Sequence, residues 1–188
     1  EEHAIAMSSG IAKNGGKPVF NVYSTFLQRT YDQLVQDLCV NNNSAVIINH
    51  MASVYGMNDV THLGFFDIPM LTNIPNLVYL APTNNEELLA MTEYAVHQHE
   101  HPVAIRVPVG EFTSTGVADT TDYSILNKSE VTRRGERIAL LGLGNFYHLA
   151  NQVADALAKD GINATVVNPK FASGLDEVLL EELKANHS

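Results

Sequence analysis

The stretch Lys17–Leu38, KPVFNVYSTFLQRTYDQLVQDL, decides the fold. Pro18 to Tyr23 is a β-branched and aromatic run, and it passes straight into residues with a different period. Leu27, Tyr31, Leu34, Val35 and Leu38 fall at i, i+4, i+7, i+8 and i+11, which is one apolar stripe on a helix over 26–39. Thr25 with Gln28 three residues on reads as a capping box that starts this helix at the motif itself. Tyr23, Phe26 and Arg29 therefore crowd the turn between strand and helix. In an open parallel sheet that turn lies at the carboxyl ends of the strands, where ligands bind.

Working outward, the same alternation repeats. Strands are expected at Pro18 to Tyr23, Ala45 to Asn49, Leu77 to Ala81, Val103 to Val107, Ile138 to Leu143 and Asn163 to Val167. Helices are expected near 2–14, 26–39, 85–98, 145–159 and 175–186. Strands separated by helical crossovers make a mostly parallel sheet covered on both faces, so the class is α/β. From Gly110 to about Arg137 the pattern lapses into Thr, Ser, Gly and Asp, a connection with room for a short edge strand at Tyr123 to Leu126. Ile138 onward reads as half of a second α/β domain. No repeat or low-complexity tract stands out.

Composition narrows the function classes. The 188 residues carry 11 basic and 21 acidic side chains, a net charge of −10, which argues against nucleic acid or an anionic membrane as the main partner. No apolar run approaches the ~18 residues of a membrane span, and the start lacks a secretory leader pattern, so the cytoplasm is the default expectation. The single cysteine, Cys39, sits at helical spacing among apolar residues and reads as a buried thiol in a reducing compartment. The chain opens inside a helical pattern without methionine and closes just after another, as expected of a piece of a longer polypeptide.

Two constellations have plain readings. Gly142 to Asn145 follows a strand, but Tyr147 stands where a third glycine would complete a dinucleotide fingerprint, so a tight strand-to-helix turn is expected. His97, His99 and His101 cluster at a helix end, where imidazoles suit the negative end of the dipole, and no cysteine or spaced acid completes a metal set. Neither a G-x-S-x-G elbow nor a G-x-x-x-x-G-K-[ST] loop occurs.

Taken in order, EEHAIAMSSGIA, KPVFNVYSTFLQRTYDQ, THLGFFDIPMLTNIPNLVYLAPTNNEEL, HPVAIRVPVG, RGERIALLGLGN and NATVVNPKF run nearly end to end through the chain. Together they resemble the 1-deoxy-D-xylulose-5-phosphate synthase family of transketolase-like thiamine diphosphate enzymes. The resemblance implies a pyrimidine-binding domain over 1–111 lacking its first strand, a linker over 112–137, and the first half of the transketolase C-terminal domain over 138–188. It places magnesium and the cofactor's diphosphate on a further domain bearing a G-D-G signature, which this sequence lacks. A homodimer is implied as well.

The resemblance also assigns roles. Glu1 matches the glutamate whose carboxylate meets N1′ of the aminopyrimidine and drives the imino form that deprotonates the thiazolium carbon. Phe26 matches the aromatic ring that stacks on the pyrimidine, and Tyr23 lines the same pocket. Arg29 matches an arginine near the substrate, and His62 a histidine able to hydrogen-bond it and move a proton near neutral pH. Catalytic Glu1 and His62, cofactor-binding Glu1, Tyr23 and Phe26, and substrate-binding Arg29 and His62 are thus the expected site, with no metal ligand. The implied reaction condenses pyruvate with glyceraldehyde 3-phosphate.

Three segments depart from the family pattern. Asn49-His50-Met51-Ala52-Ser53 stands where D-R-A-G is usual, and Asn58-Asp59-Val60 where an acid and a glycine precede the T-H-x-G motif. Arg106-Val107-Pro108-Val109-Gly110 stands for R-Y-P-R-G, so Val109 replaces an arginine associated with the acceptor phosphate. These departures admit another donor, a non-phosphorylated acceptor, or a non-catalytic subunit that has kept the fold.

Overall fold

A computed structural model describes residues 1–53 and 61–187. The departure at Asn58-Asp59-Val60 lies outside the described residues. Four parallel strands, β1 (Val19–Tyr23), β2 (Val46–His50), β3 (Val78–Leu80) and β4 (Val103–Arg106), form a sheet in the order β1-β2-β4-β3. The register sets Tyr23 beside His50 and Asn49 beside Arg106, so the strand ends that carry these residues share one edge. Helix α1 (Glu2–Lys13) packs with the helical stretch after β1 on one face, where Ile5, Leu27, Leu34, Leu38, Ile47 and Tyr79 are buried together.

That helical stretch corrects two expectations. It begins at Ser24 rather than Phe26 and has no side-chain cap; Thr25 Oγ1 instead donates to the Thr61 carbonyl at 2.9 Å. It is also not one uniform α-helix: α2 (Ser24–Leu27) gives way to a 3₁₀ turn at Gln28–Thr30, then α3 (Tyr31–Gln33), then a π-helical segment at Leu34–Cys39. Tightening and widening the turn shifts the phase of the stripe. Leu27, Leu34 and Leu38 stay fully buried, while Tyr31 is 40% exposed and its hydroxyl donates to Asn73 Oδ1 at 2.6 Å.

Cys39 is buried in this core, and desolvation pushes its thiol up to about 12. At pH 8 roughly one molecule in ten thousand then holds a thiolate, so Cys39 is expected to resist a disulfide reagent until the protein unfolds. Labelling of native protein at the rate of a model thiol would contradict this burial.

Helix α4 (Asp67–Leu71) follows the THLGFF segment, and α5 (Asn85–His97), capped by the Asn84 side chain on the Glu87 amide, covers the other face of the sheet. There Val46, Val78, Leu80, Met91, Val103 and Ile105 form a second core. The histidine tract closes α5, with His97 Nδ1 donating to the Glu93 carbonyl at 2.9 Å. Tyr123 to Leu126 is not a strand. Tyr123 is buried against Tyr94 and Phe171, and the strand in this connection is β5 (Glu130–Arg133).

The strand β5 belongs to a second sheet, ordered β5-β7-β6, with β6 (Ala139–Leu141) parallel and β5 antiparallel to β7 (Thr165–Asn168). Helices α6 (Phe146–Lys159) and α7 (Glu177–Lys184) flank it. Gly142 is wedged at the β6-to-α6 turn, where a Cβ would fall 2.6 Å from the Tyr147 Cα, and Gly144 takes φ +56°. Close backbone packing accounts for Gly142, and the left-handed backbone conformation accounts for Gly144.

Backbone pairing along β3 and a buried ion cluster are among the contacts that join the units. Residues 170–173 lie along β3: Ala81 N–H donates to the Lys170 carbonyl at 2.8 Å, Ala172 N–H to the Tyr79 carbonyl at 2.7 Å, and Tyr79 N–H to Ser173 Oγ at 3.1 Å. Beside them the Lys170 ammonium, 4% exposed, sits 3.0 Å from both Glu87 Oε1 and Glu130 Oε2 and 3.9 Å from Asp119 Oδ1. Burial drives this ammonium down, but the carboxylates outweigh burial and leave it raised. Among the described residues no helix is long and apolar enough to cross a membrane.

Candidate functional site

The carboxyl edge of the first sheet gathers the residues that the sequence singles out. Glu1 at the head of α1, Tyr23 at the end of β1 and Phe26 in α2 line one cleft of about 370 Å³, together with Ala4, Phe20, Asn21 and Val22. The Glu1 side chain is 29% exposed, partly withdrawn from water. The cleft lining contains one carboxylate, several apolar side chains and no cation.

Phe26 is the hub of the site. Its ring lies nearly parallel to Tyr23 at 6.0 Å and 8°, and the His62 ring meets it edge-on at 5.3 Å and 78°. The Arg29 guanidinium sits 5.3 Å from the Phe26 centroid and 3.6 Å from Glu1 Oε2. Arg29 is 54% exposed, so its pair with Glu1 is solvated and contributes little to stability. What it does is bridge the aromatic hub to the carboxylate. Glu1, Tyr23, Phe26, Arg29 and His62 thus form one continuous surface, with Tyr23, Phe26 and Arg29 supplied by one short stretch that runs from the end of β1 through α2 into the 3₁₀ turn.

Charge balance limits what this surface suits. A planar heteroaromatic ring with a nitrogen to face a carboxylate matches an aromatic wall beside Glu1. A diphosphate does not, because the one cation of this surface, Arg29, lies outside the cleft lining and is turned to Glu1.

The sequence reading passed over two parts of the site. His50 ends β2 with its ring 5.4 Å from Tyr23, which adds a second imidazole to the edge. Behind the wall lies a buried polar cluster. Arg106 Nε donates to Asp67 Oδ2 at 2.7 Å, Tyr79 donates to the same oxygen, and Asn49 Nδ2 reaches Tyr79 Oη at 2.7 Å. The Arg106 side chain is 7% exposed and that of Asp67 is 0%. The available signal was a charge closing the apolar strand VAIR, which demands an opposite charge close by.

The family model for the transketolase pyrimidine binding domain matches residues 1–114, and that for the transketolase C-terminal domain matches 127–188. The chain belongs to the transketolase family. Among curated proteins it is similar to 1-deoxy-D-xylulose-5-phosphate synthase of Natranaerobius thermophilus, 38% identical over all of this chain and 30% of that protein. It is similar also to the synthases of Desulforudis audaxviator, 41% identical over 94% of this chain and 28% of that one, and Lachnoclostridium phytofermentans, 39% identical over 100% and 30%. The chain therefore spans about 30% of the length of the curated relatives it matches. A solved structure described as a split gene transketolase, inactive beta4 tetramer, shares the fold with a TM-score of 0.82 at 21% identity, covering all of this chain and 59% of that one.

Proposed function

We propose that this chain is the pyrimidine-binding part of a thiamine diphosphate-dependent enzyme that joins a two-carbon unit from pyruvate to glyceraldehyde 3-phosphate, releasing CO2 and 1-deoxy-D-xylulose 5-phosphate. The observation that carries the reading is the shared cleft of Glu1, Tyr23 and Phe26. The donor set fits an aminopyrimidine ring: a carboxylate for a ring nitrogen and an aromatic face for stacking. It does not fit the diphosphate, which with magnesium belongs on another domain, in the same polypeptide or in a partner of a homodimer.

When bound, thiamine diphosphate supplies a nucleophilic carbon for attack on a carbonyl. The chain's own residues do the rest. Glu1 holds the proton at the ring nitrogen facing it, Phe26 and Tyr23 fix the ring plane and exclude water, Arg29 meets the carboxylate or phosphate of a substrate, and His62 donates to or accepts from the reacting oxygen.

A second reading rests on Val109. It stands in RVPVG where the family carries an arginine, and its amide donates to Ser53 Oγ at 3.2 Å. Met51 likewise replaces an arginine, and Arg106 is taken up by Asp67, so among the described residues Arg29 is the guanidinium left at this edge. A charge-assisted phosphate contact is worth roughly 1.5–3 kcal/mol, enough to change the preferred acceptor to an unphosphorylated aldehyde.

One experiment separates these readings: the full-length protein is incubated with thiamine diphosphate, magnesium and labelled pyruvate, with glyceraldehyde or its 3-phosphate as acceptor. Label released as CO2 and a deoxyxylulose 5-phosphate product support the first reading. Release with product from glyceraldehyde alone supports the second. A protein that binds no thiamine diphosphate in a thermal-shift titration fits neither.

A further inference from the structure

We infer that Arg106 and Asp67 are positioning residues for His62, an inference that rests on the role proposed for His62 above. A buried ion pair costs desolvation on both partners, and an apolar pair of the same volume is often as stable, so this one is expected to serve more than stability. Its geometry points to the loop it grips. Arg106 Nε binds Asp67 Oδ2 at 2.7 Å, while Nη2 of the same guanidinium donates to the Gly64 carbonyl at 3.3 Å and to Asp67 Oδ1 at 3.5 Å.

Gly64 is two residues beyond His62. A Cβ there would lie 1.9 Å from the Met51 carbonyl oxygen and 2.7 Å from the Ser53 amide nitrogen, so only glycine lets the loop press onto the end of β2. On the other side of His62, Thr25 Oγ1 holds the Thr61 carbonyl at 2.9 Å. The backbone is therefore held on both sides of His62, at Thr61 by Thr25 from the YSTF turn and at Gly64 by Arg106 from β4. His62 Nδ1 lies 3.0 Å from Thr61 Oγ1, and the ring is delivered edge-on to Phe26. Asp67 holds the guanidinium at the angle that reaches Gly64, and Tyr79 and Asn49 hold Asp67.

A double-mutant cycle in the full-length protein tests this. Arg106→Lys keeps the charge but cannot serve Asp67 and Gly64 as a planar fork. Asp67→Asn keeps the volume and weakens the grip. Each is expected to lower kcat by roughly 10- to 100-fold, with the affinity for thiamine diphosphate unchanged, because a shift of about an ångström in a reacting group has that effect. In a His62→Ala background the same substitutions should change kcat by less than about twofold. Equal losses in both backgrounds would overturn the inference, leaving the pair a structural one.

Two readouts do not depend on activity. In cofactor-free protein Arg106→Lys should shift or broaden the His62 imidazole NMR signal while those of His97 and His99 stay in place, and should speed amide exchange in the peptide spanning 61–66. An unmoved His62 signal with wild-type exchange overturns the inference whatever the enzyme acts on. A wild-type protein inactive on pyruvate, with the His62 signal displaced by Arg106→Lys, counts against the proposed function alone.

Discussion

Glu1→Gln in the full-length protein should lower turnover by roughly 100- to 1,000-fold while thiamine diphosphate still binds, the range expected when a positioned proton-transfer group is removed. Glutamine has the shape of glutamate and can still face a ring nitrogen, so the cofactor keeps its aromatic seat on Phe26. It cannot carry the negative charge that stabilises a proton on that nitrogen. The substitution also breaks the 3.6 Å pair with Arg29, yet that pair is solvated, and exposed pairs contribute about 0–1 kcal/mol. The melting temperature should therefore hardly move. Steady-state rates with saturating cofactor, read beside a melting curve, separate the two effects. A variant with unchanged turnover would point to the scaffold reading, in which the fold persists without the chemistry.

The largest stability effect is expected at the junction, from Lys170→Met. Methionine has nearly the volume of lysine, so packing is retained while Glu87, itself 6% exposed, loses its counter-charge. Breaking a buried pair in this way costs about 3–5 kcal/mol, because the carboxylate left behind is desolvated. Asn168 Nδ2 and the Thr83 amide and hydroxyl still donate to Glu87 at 2.7 to 2.9 Å, which places the expectation near the lower end, about 3 kcal/mol. The pH dependence gives a check with a definite sign. Lys170 is raised above its ordinary 10.5, so its contribution is fully present below about pH 10.5 and fades as pH climbs through the raised folded value. The difference in denaturant stability between wild type and variant should be level near neutrality and shrink only in strong alkali. A level difference of less than about 1 kcal/mol would mean that the carboxylates do not depend on this ammonium.

Much of this was written plainly in the sequence, for physical reasons. Parallel strands buried on both faces must be nearly continuous apolar runs, and VIINH, VYL and VAIR stand out as such between amphipathic helices. The YSTFLQR turn was legible because two aromatics and an arginine at a strand-to-helix turn have no structural economy otherwise.

The failures are as instructive. Thr25 and Gln28 have the spacing of a capping box, but Thr25 is spent on Thr61, a loop 36 residues away that local pattern cannot see. Tyr31 falls on the apolar stripe only if the helix keeps 3.6 residues per turn, and a 3₁₀ turn followed by a π segment changes that period. Tyr123 looked like part of a strand because aromatics favour sheets, whereas its ring fills a gap between Tyr94 and Phe171. The Arg106 and Asp67 pair joins residues 39 apart, so sequence could announce a buried charge but not its partner.

The way residues 170–173 lie along β3 bears on how such a protein can be divided. A sheet edge with free amide and carbonyl groups is a template for joining another copy edge to edge. Here the segment that follows β7 takes up the Tyr79 and Ala81 amides and the Tyr79 carbonyl. Cutting the chain in its long polar connection, which looks the natural place to separate two domains, would strip that cover and leave β3 ready to polymerise. The portion after the connection is in this respect a built-in guard against aggregation for the portion before it.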